Sequence, residues 1–441
     1  MSAYRLYLLI SGVGSFASRT AFTLNLIYQA TVVGLSPLQL VLVGTLMEAV
    51  CFVAQVPTGV IADRYSRRLS VIVGYLLMGA GLLVWGLFPT YAAILVANVV
   101  WAIGAVCVDG AEEAWAADEI EPERVTRAFV RGGQVSQAGA LAGIVAAVAF
   151  TAVEPALPIV VGAVVTLGLG VLLVVLMTED GWRRPETFTR SSAGGQVAAA
   201  VRAIRGNVIL AAIVGGTLFA GMSSEGFDRL SQPFLIPYVG GRPVELVFGG
   251  LAIVAAAGSI VVTGLAGRWI DVVRPQRVGR VLAVVQALTA AGMIGLGFAG
   301  HWWSAVGLYL GVRLLRDTAG PILNVWLVSA TAPESRATVF SFVSQADALG
   351  QVAGGPPAGF VAQRRAIGAG ISVAGLFVLP AVALYAVATA PRPSRGNEPR
   401  PSRGNEPRPS RGTEPRPSSG TEPTAGGTTP AGTSSEPISP L

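Results

Sequence analysis

The chain has 441 residues, of which 52% are hydrophobic and 13% are charged, and its formal net charge is +6. A soluble domain carries about 25% charged residues, so this chain cannot cover a water-facing surface and its solvent is lipid. The basic residues lie mostly between apolar runs, which indicates membrane topology and not nucleic-acid binding. Short strands of alternating polarity are absent from the sequence, so we expect an all-α membrane protein.

Twelve apolar segments follow one another along the chain, each close to the roughly 20 residues that cross a bilayer as a helix. The first begins directly after residues 1–5, with no small-residue cleavage site, which favours a spanning helix over a removed signal peptide. The twelve segments are approximately residues 4–32, 37–62, 69–88, 91–117, 129–153, 156–177, 208–237, 244–270, 278–299, 302–331, 339–362 and 367–388.

A polar stretch at 179–206 divides these segments into two blocks of six. Asp271 follows Asp63 by 208 positions (271 − 63 = 208), and Asp317 follows Asp109 at the same offset. The run Val-Ser-Gln-Ala at 135–138 recurs at 343–346, again 208 positions later. Three markers at one offset indicate duplicated halves with a substrate path between them. We predict twelve transmembrane helices in two pseudo-symmetric six-helix bundles, residues 1–178 and 207–390, joined by a cytoplasmic loop at 179–206.

Residues 391–441 differ in composition from the rest of the chain. The octapeptide Pro-Arg-Pro-Ser-Arg-Gly-Asn-Glu at 391–398 is repeated three more times with small changes, and Ser, Thr, Gly and Pro dominate the remainder. Such a segment cannot bury enough apolar surface to fold. We expect a disordered cytoplasmic tail.

The connections between the apolar segments alternate between arginine-rich and bare. The positive-inside rule therefore predicts that both termini are cytoplasmic. Arg242, Arg364 and Arg365 lie on the opposite side and are exceptions. The chain contains no lysine and is rich in Ala, Gly and Val. This composition is typical of a GC-rich bacterial genome, so we expect the bacterial inner (plasma) membrane.

Ionisable residues inside the apolar segments are costly and are therefore candidates for function. Most fall into trios spaced i, i+3, i+4, which we expect to share one helix face directed at protein or at a water-filled cavity. A structural ion pair in the second trio and a solvated vestibule around the first remain open alternatives. The trios are Asp109, Glu112 and Glu113; Glu225, Asp228 and Arg229; and Arg313, Arg316 and Asp317, while Arg19, Glu48 and Asp347 are isolated.

Acids outnumber bases among these residues. Three carboxylates on one face cannot all ionise easily in a low dielectric, so at least one should hold a proton. His301, the single histidine, lies in an outer connection, so carboxylates must carry any protons. The candidates for proton coupling are Asp109, Glu112, Glu113, Asp317 and Asp347. The candidates for a substrate cavity are Arg19, Glu48, Glu225, Asp228, Arg229, Arg313 and Arg316.

No enzyme constellation is present in the sequence. A Walker motif requires a lysine, and a Ser-His-Asp triad would need a histidine other than the peripheral one. The two cysteines, Cys51 and Cys107, both lie in apolar segments and indicate buried free thiols, not a disulfide framework. We expect neither a catalytic site, nor a metal, nor a cofactor.

The turn from Gly59 to Arg68 reads Gly-x-x-x-Asp-Arg-x-x-Arg-Arg. It resembles the loop between helices 2 and 3 of the major facilitator superfamily of membrane transporters, and the resemblance covers approximately residues 4–388. The resemblance implies a gate that holds the outward-facing state closed on the inside; a plain topology anchor is the alternative. The gating residues would be Gly59, Asp63, Arg64, Arg67 and Arg68, with Asp271 in a degenerate second copy.

Three further stretches, at 34–40, 57–59 and 110–115, look like those of proton-driven multidrug efflux proteins of bacteria. The family's proline in helix 5 is missing, and a similar Gly-Pro run lies at 350–357 in helix 11. The resemblance implies a monomeric antiporter for proton-coupled export of an amphipathic organic compound, a drug or natural product, and hence antibiotic resistance. Its partners would be the small-molecule substrate, protons and the lipid bilayer. An importer or symporter of a metabolite and a non-transporting receptor or scaffold are the alternatives.

Overall fold

The computed structural model describes residues 1–181, 198, 201, 202, 204–270, 275–332 and 335–390. These ranges contain fourteen α-helices and no β-strand. Asp271, the remainder of the predicted central loop and the tail lie outside them. The helices are α1 (Ala3–Phe22), α2 (Asn25–Thr31), α3 (Pro37–Arg64), α4 (Arg67–Leu87), α5 (Tyr91–Val108), α6 (Ala111–Glu119), α7 (Pro122–Thr151), α8 (Leu157–Leu176), α9 (Val208–Leu235), α10 (Val244–Ile270), α11 (Pro275–Gly297), α12 (Trp302–Ala330), α13 (Arg336–Arg364) and α14 (Ile367–Ala388).

Nine helical segments in the described ranges are long and apolar enough to cross a membrane. The multi-pass, all-helical character predicted from the sequence is therefore confirmed. Three long helices, α1, α12 and α13, fall outside those nine. They carry Arg19, the group from Arg313 to Asp317, and Asp347, which lower their apolar character.

Several helices begin at residues that satisfy their free backbone N–H groups. Ser36 and Gln39 form a reciprocal capping box at the start of α3, with Pro37 in the first turn. The Ser36 N–H donates to Gln39 Oε1 over 2.9 Å, and the Gln39 N–H donates to Ser36 Oγ over 3.4 Å. Ser66 caps α4 in the same way, because its Oγ accepts from the Leu69 N–H at 2.9 Å. These caps fix where two of the long apolar helices enter the bundle.

Two of the predicted helices are broken in the structure. The first ends at Phe22 and resumes at Asn25, and the fourth ends at Val108 and resumes at Ala111. The second break has a local cause: Gly110 has a φ of 74°, in the left-handed region where a helix cannot continue. The expectation of one continuous helix over 91–117 was wrong for this reason.

Helices α1, α4, α5, α7 and α8 pack mainly against one another, and α9, α11, α12, α13 and α14 do the same. The two remaining long helices, α3 and α10, join these sets. Helix α3 contacts α9 and α13, and α10 contacts α7. Glycines allow the closest approaches: a Cβ at Gly139 of α7 would meet the backbone of Gly12, and one at Gly350 of α13 would meet that of Leu218. The largest buried apolar cluster includes Phe227, Tyr309 and Val41, so the core also extends across both sets.

Candidate functional site

A cavity of about 510 Å³ lies between α3, α4, α5, α6 and α13. Four carboxylates line it, those of Glu48, Asp109, Glu113 and Asp347, and none of the described residues on its wall is basic. The rest of the wall includes aromatic rings and thioethers, from Phe52, Trp101, Met47 and Met78. We call it the acidic cavity. Carboxylates beside aromatic faces form an environment that attracts an organic cation.

Three glutamines organise this cavity, and none of them was singled out from the sequence. Gln351 donates to Asp347 Oδ2 over 2.9 Å, and Gln55 donates to Asp109 Oδ2 over 3.4 Å. Gln345 donates to Gln55 Oε1 over 3.3 Å and thereby joins α13 to α3. An amide inside an apolar helix is the signal that would have identified them, because a polar group there needs a partner.

Glu112 does not share a face with Asp109 and Glu113, contrary to the expectation from their spacing. The Tyr75 hydroxyl donates to Glu112 Oε2 over 2.9 Å, which directs this carboxylate toward α4. The break at Gly110 explains the difference, because residues on either side of it no longer follow one helical repeat. Asp109 and Glu113 both reach the acidic cavity.

A second cavity, of about 410 Å³, lies between α1, α7, α9, α10 and α12. Its wall carries Arg19, Arg229, Arg313, Asp228 and Asp317. The wall also carries the aromatic rings of Phe22 and Tyr309 and the amide groups of Gln137 and Gln232. We call it the arginine cavity. Five of the predicted cavity and coupling residues are thus brought together from three helices.

The trio on α12 divides between two environments. Arg316 donates to both Asp228 oxygens, at 2.6 and 2.9 Å, and to Ser224 Oγ at 3.1 Å. Its guanidinium also lies 5.2 Å from the centre of the Phe227 ring. Such a bidentate pair holds α12 against α9 with a fixed geometry. Arg316 therefore has structural partners, while Arg313 and Asp317 remain on the wall of the arginine cavity.

Glu225 and Arg229 form a buried ion pair on α9, with Arg229 Nε 3.1 Å from Glu225 Oε2. Their side chains are only 4% and 14% exposed. A Cβ at Gly44 of α3 would collide with both side chains, and a Cβ at Gly355 of α13 would meet that of Glu225. Glycine at these positions lets the pair lie where α3, α9 and α13 meet. The ion pair expected as one alternative for this trio is present, and the substrate contact stays a prediction.

The two cavities correspond through the internal repeat. Seven positions that line the acidic cavity match positions that line the arginine cavity at an offset of 208. They come from α3, α5 and α13 in one cavity and from α10, α12 and α7 in the other. The pairs are Met47 and Ala255, Glu48 and Ala256, Cys51 and Ser259, Trp101 and Tyr309, Ala105 and Arg313, Asp109 and Asp317, and Ala348 and Ala140.

Two arginines of the Gly59–Arg68 turn contact the ends of neighbouring helices. Arg67 pairs with Asp118 and donates to the Ala114 carbonyl at 3.2 Å, both in α6. Arg68 donates to the carbonyls of Met177 and Val174, at 2.5 and 2.7 Å, at the end of α8. The contact of Arg68 with the C-terminal carbonyls of α8 agrees with the helix dipole. The gating role stays a prediction.

The other residues of the turn have fewer described contacts. Arg64 is exposed, and a Cβ at Gly59 would meet no atom within 4 Å. The side chain of Asp63 and the whole of Asp271 lie outside the described residues. Within the described ranges, no group of three His, Cys, Asp or Glu side chains could hold a metal ion.

Known proteins with similar sequences and structures are membrane transporters. The chain is 22% identical over 367 residues to YxaM of Bacillus subtilis (strain 168), an uncharacterised MFS-type transporter, covering 79% of this chain and 87% of that protein. A bacterial homologue of the human lysosomal transporter Spinster, in an inward-facing unoccupied conformation, has a TM-score of 0.69 at 16% identity, over 88% of this chain and 96% of its own.

The nucleoside transporter NupG has a similar fold, with a TM-score of 0.72 at 12% identity over 88% of this chain and 99% of its own. At such identities these two structures show the fold alone. The sequence pattern of the Major Facilitator Superfamily matches residues 8–355. The match covers most of the chain and includes every residue that lines either cavity. The chain therefore belongs to the Major Facilitator Superfamily of transporters.

Proposed function

We propose that this protein is a secondary active transporter that exports an amphipathic organic compound in exchange for protons. One observation carries the proposal: the acidic cavity holds four carboxylates, no basic side chain, and aromatic and thioether surface. A cation with an apolar body would satisfy both the charge and the wall. The compound would be a drug or natural product, and the protein would confer resistance to it.

The proposed architecture is twelve crossings in two six-helix bundles. Counting α1 with α2, and α5 with α6, as single crossings gives six helices in residues 1–178 and six in residues 207–390. The arginine-rich connections support cytoplasmic termini and a cytoplasmic loop at 179–206. We propose a monomer in the bacterial inner membrane, because each chain carries both halves and both cavities.

Alternating access is supported by the unequal contacts of α3 along its length. Near its start, Leu38 and Val41 lie against Gly359 of α13. Near its end, Gly59 has no close neighbour. If the start of α3 faces the outside, the outer ends are together and the inner ends are apart. Reversing this arrangement would expose the cavities to the other side, with the Gly59–Arg68 turn as the inner gate.

Proton coupling would follow from competition between protons and the cationic substrate. Asp109, Glu113 and Asp347 share one cavity wall, so a proton and a cationic substrate would compete for the same carboxylates. A bound cation favours the ionised carboxylates, and protonation releases it. Glu112, bonded to Tyr75, and Asp317, in the arginine cavity, are the remaining candidates for coupling.

The test uses the full chain in liposomes with an imposed proton gradient and a fluorescent cationic dye, the ethyl ester of rhodamine B. We expect dye movement that an ionophore abolishes and that Glu48→Gln and Asp109→Asn reduce about tenfold or more, as for a lost charge-assisted contact. Glu123→Gln, an exposed carboxylate in the first turn of α7, is the matched control and should leave movement unchanged.

Three results would count against the proposal. Movement of the dye together with protons, in the same direction, would identify a symporter or importer. No movement under any gradient would favour a receptor or scaffold. Full activity of both acidic-cavity variants would remove the assignment of the site while leaving transport itself intact.

A further inference from the structure

The arginine cavity has an excess of positive charge that the protein does not neutralise. Arg229 is paired with Glu225, and Asp228 is paired with Arg316. Asp317 is the one further carboxylate on this wall, beside Arg19 and Arg313, and neither arginine forms a salt bridge within the described part of the chain. Two arginines against one carboxylate leave one positive charge on the wall of a 410 Å³ cavity.

Unsatisfied polar atoms lie on the same wall. The Nε of Arg313, the Oδ1 of Asn25 and the Oε1 of Gln232 are buried and have no hydrogen-bond partner among the described residues. Buried polar atoms are usually bonded, so three such atoms around one cavity indicate that a polar group belongs there. A donor on arginine beside acceptors on amides suits an anionic group next to a polar one.

The internal repeat shows where the charge of this cavity arises. Arg313 occupies the position that corresponds to Ala105 of the acidic cavity, and Ala256 corresponds to Glu48. At one pair of equivalent positions the arginine cavity therefore has a base where the acidic cavity has alanine. At the other pair the acidic cavity has an acid where the arginine cavity has alanine. Asp109 and Asp317 are kept in both. The walls of the two cavities are therefore built from equivalent positions, but they favour ligands of opposite charge.

We propose that the arginine cavity binds a carboxylate of the transported compound, with Arg19 and Arg313 as its partners. The substrate is then a zwitterionic amphiphile, whose cationic group goes to the acidic cavity. The inference rests on the proposed function and narrows its substrate class. Arginine is the residue best suited to this role, because its planar guanidinium stays charged and binds carboxylates bidentately.

The experiment compares two dyes that differ by one group: rhodamine B, which has a free carboxylate, and its ethyl ester, which does not. Binding of each to the purified full chain in detergent is measured by fluorescence anisotropy. We expect the free acid to bind more tightly than the ester. Arg313→Gln and Arg19→Gln should each weaken binding of the acid about tenfold and leave binding of the ester unchanged, as expected for one charged hydrogen bond.

Arg280→Gln is the matched control, because Arg280 is an exposed arginine of α11 that lines neither cavity. Thermal unfolding of each variant confirms that it folds. The variants could weaken binding of both dyes equally, or the ester could bind as tightly as the acid. Either result would contradict the proposed carboxylate site and leave the proposed export of a cation intact. Ester binding that requires added chloride would assign the cavity to a separate small anion and overturn the inference. If neither dye bound, both proposals would fall.

Discussion

The acidic and arginine cavities occupy equivalent places in the two repeats, yet their walls carry opposite charge. The acidic cavity has four carboxylates and no base. The arginine cavity has three arginines and two aspartates, with Arg229 and Asp228 already paired. The aromatic positions Trp101 and Tyr309 correspond at the 208-residue offset, while the charge differs at a few other equivalent positions. The comparison teaches that equivalent wall positions can carry different charges while the helices around them stay alike.

The largest expected effect concerns the ion pair between Glu225 and Arg229, which lies where the helices of both halves meet. Arg229→Gln leaves a buried carboxylate without a partner and should lower the free energy of unfolding by about 3–5 kcal/mol. The double variant Glu225→Gln with Arg229→Gln should recover most of that loss. Thermal or denaturant unfolding in detergent measures both. A single variant as stable as the unmodified chain would show that the pair does not hold this junction.

A second experiment moves the charge of one cavity into the other. Ala105→Arg places an arginine in the acidic cavity at the position that corresponds to Arg313. Two like charges at about 4 Å cost about 4 kcal/mol at an effective dielectric of 20, so affinity for the cationic ester should fall roughly a thousandfold. Ala105→Gln, of similar length and no charge, is the control. Equal dye affinities for the two variants would contradict the charge difference between the cavities.

A third experiment tests the space that the pair needs. Gly44→Ala puts a Cβ into the atoms of Glu225 and Arg229 and should destabilise the protein by about 1–3 kcal/mol. Gly250→Ala in α10 is the matched control, since no atom lies within 4 Å of its Cβ position. That variant should be neutral or stabilised by up to about 1 kcal/mol, from helix propensity. Equal stability of the two variants would refute the close approach at Gly44.

The smallest effect comes from the amide contact between Gln55 and Gln345 beside the acidic cavity. A double-mutant cycle of Gln55→Ala and Gln345→Ala should give a coupling of about 0.5–1.5 kcal/mol in unfolding free energy. Gln137 is the repeat counterpart of Gln345 and has no hydrogen-bond partner among the described residues. Gln55→Ala combined with Gln137→Ala should therefore be additive. Coupling in this control cycle as large as in the first would mean that the amide contact is not the cause.

Much of the helical framework could be predicted from hydrophobic length. The last apolar segment, residues 367–388, coincides with α14, and residues 156–177 differ from α8 by one residue at each end. The breaks after Phe22 and Val108 were not predicted, because each interrupts a longer segment that is apolar on average. The positive φ of Gly110 is a local backbone conformation, and the hydropathy of the sequence does not reveal it. Its effect was large, since it separated Glu112 from Asp109.

The sequence indicated which residues belong to the candidate site, but not which of them pair with one another. Charged residues in apolar segments are conspicuous, so Glu48, Asp109, Arg313 and Asp347 were identified by type alone. Which of them pair depends on helix rotation and on the distance between helices, and both are set by distant glycines such as Gly44 and Gly355. The glutamines of the acidic cavity were missed because amides carry no charge and are common in loops.

The sequence by itself determined that this chain is a helical membrane protein, because lipid requires long apolar segments, and the 208-residue offset of a few markers predicted two related halves. Only the tertiary structure decided that those halves form two cavities of opposite charge. It also decided that Arg316 and Arg229 form ion pairs with carboxylates, whereas Arg19 and Arg313 lie on a cavity wall without an ion pair among the described residues. The physical reason is that burial cost acts on each residue separately, whereas pairing requires two particular atoms within about 3 Å, which the packing of the helices decides.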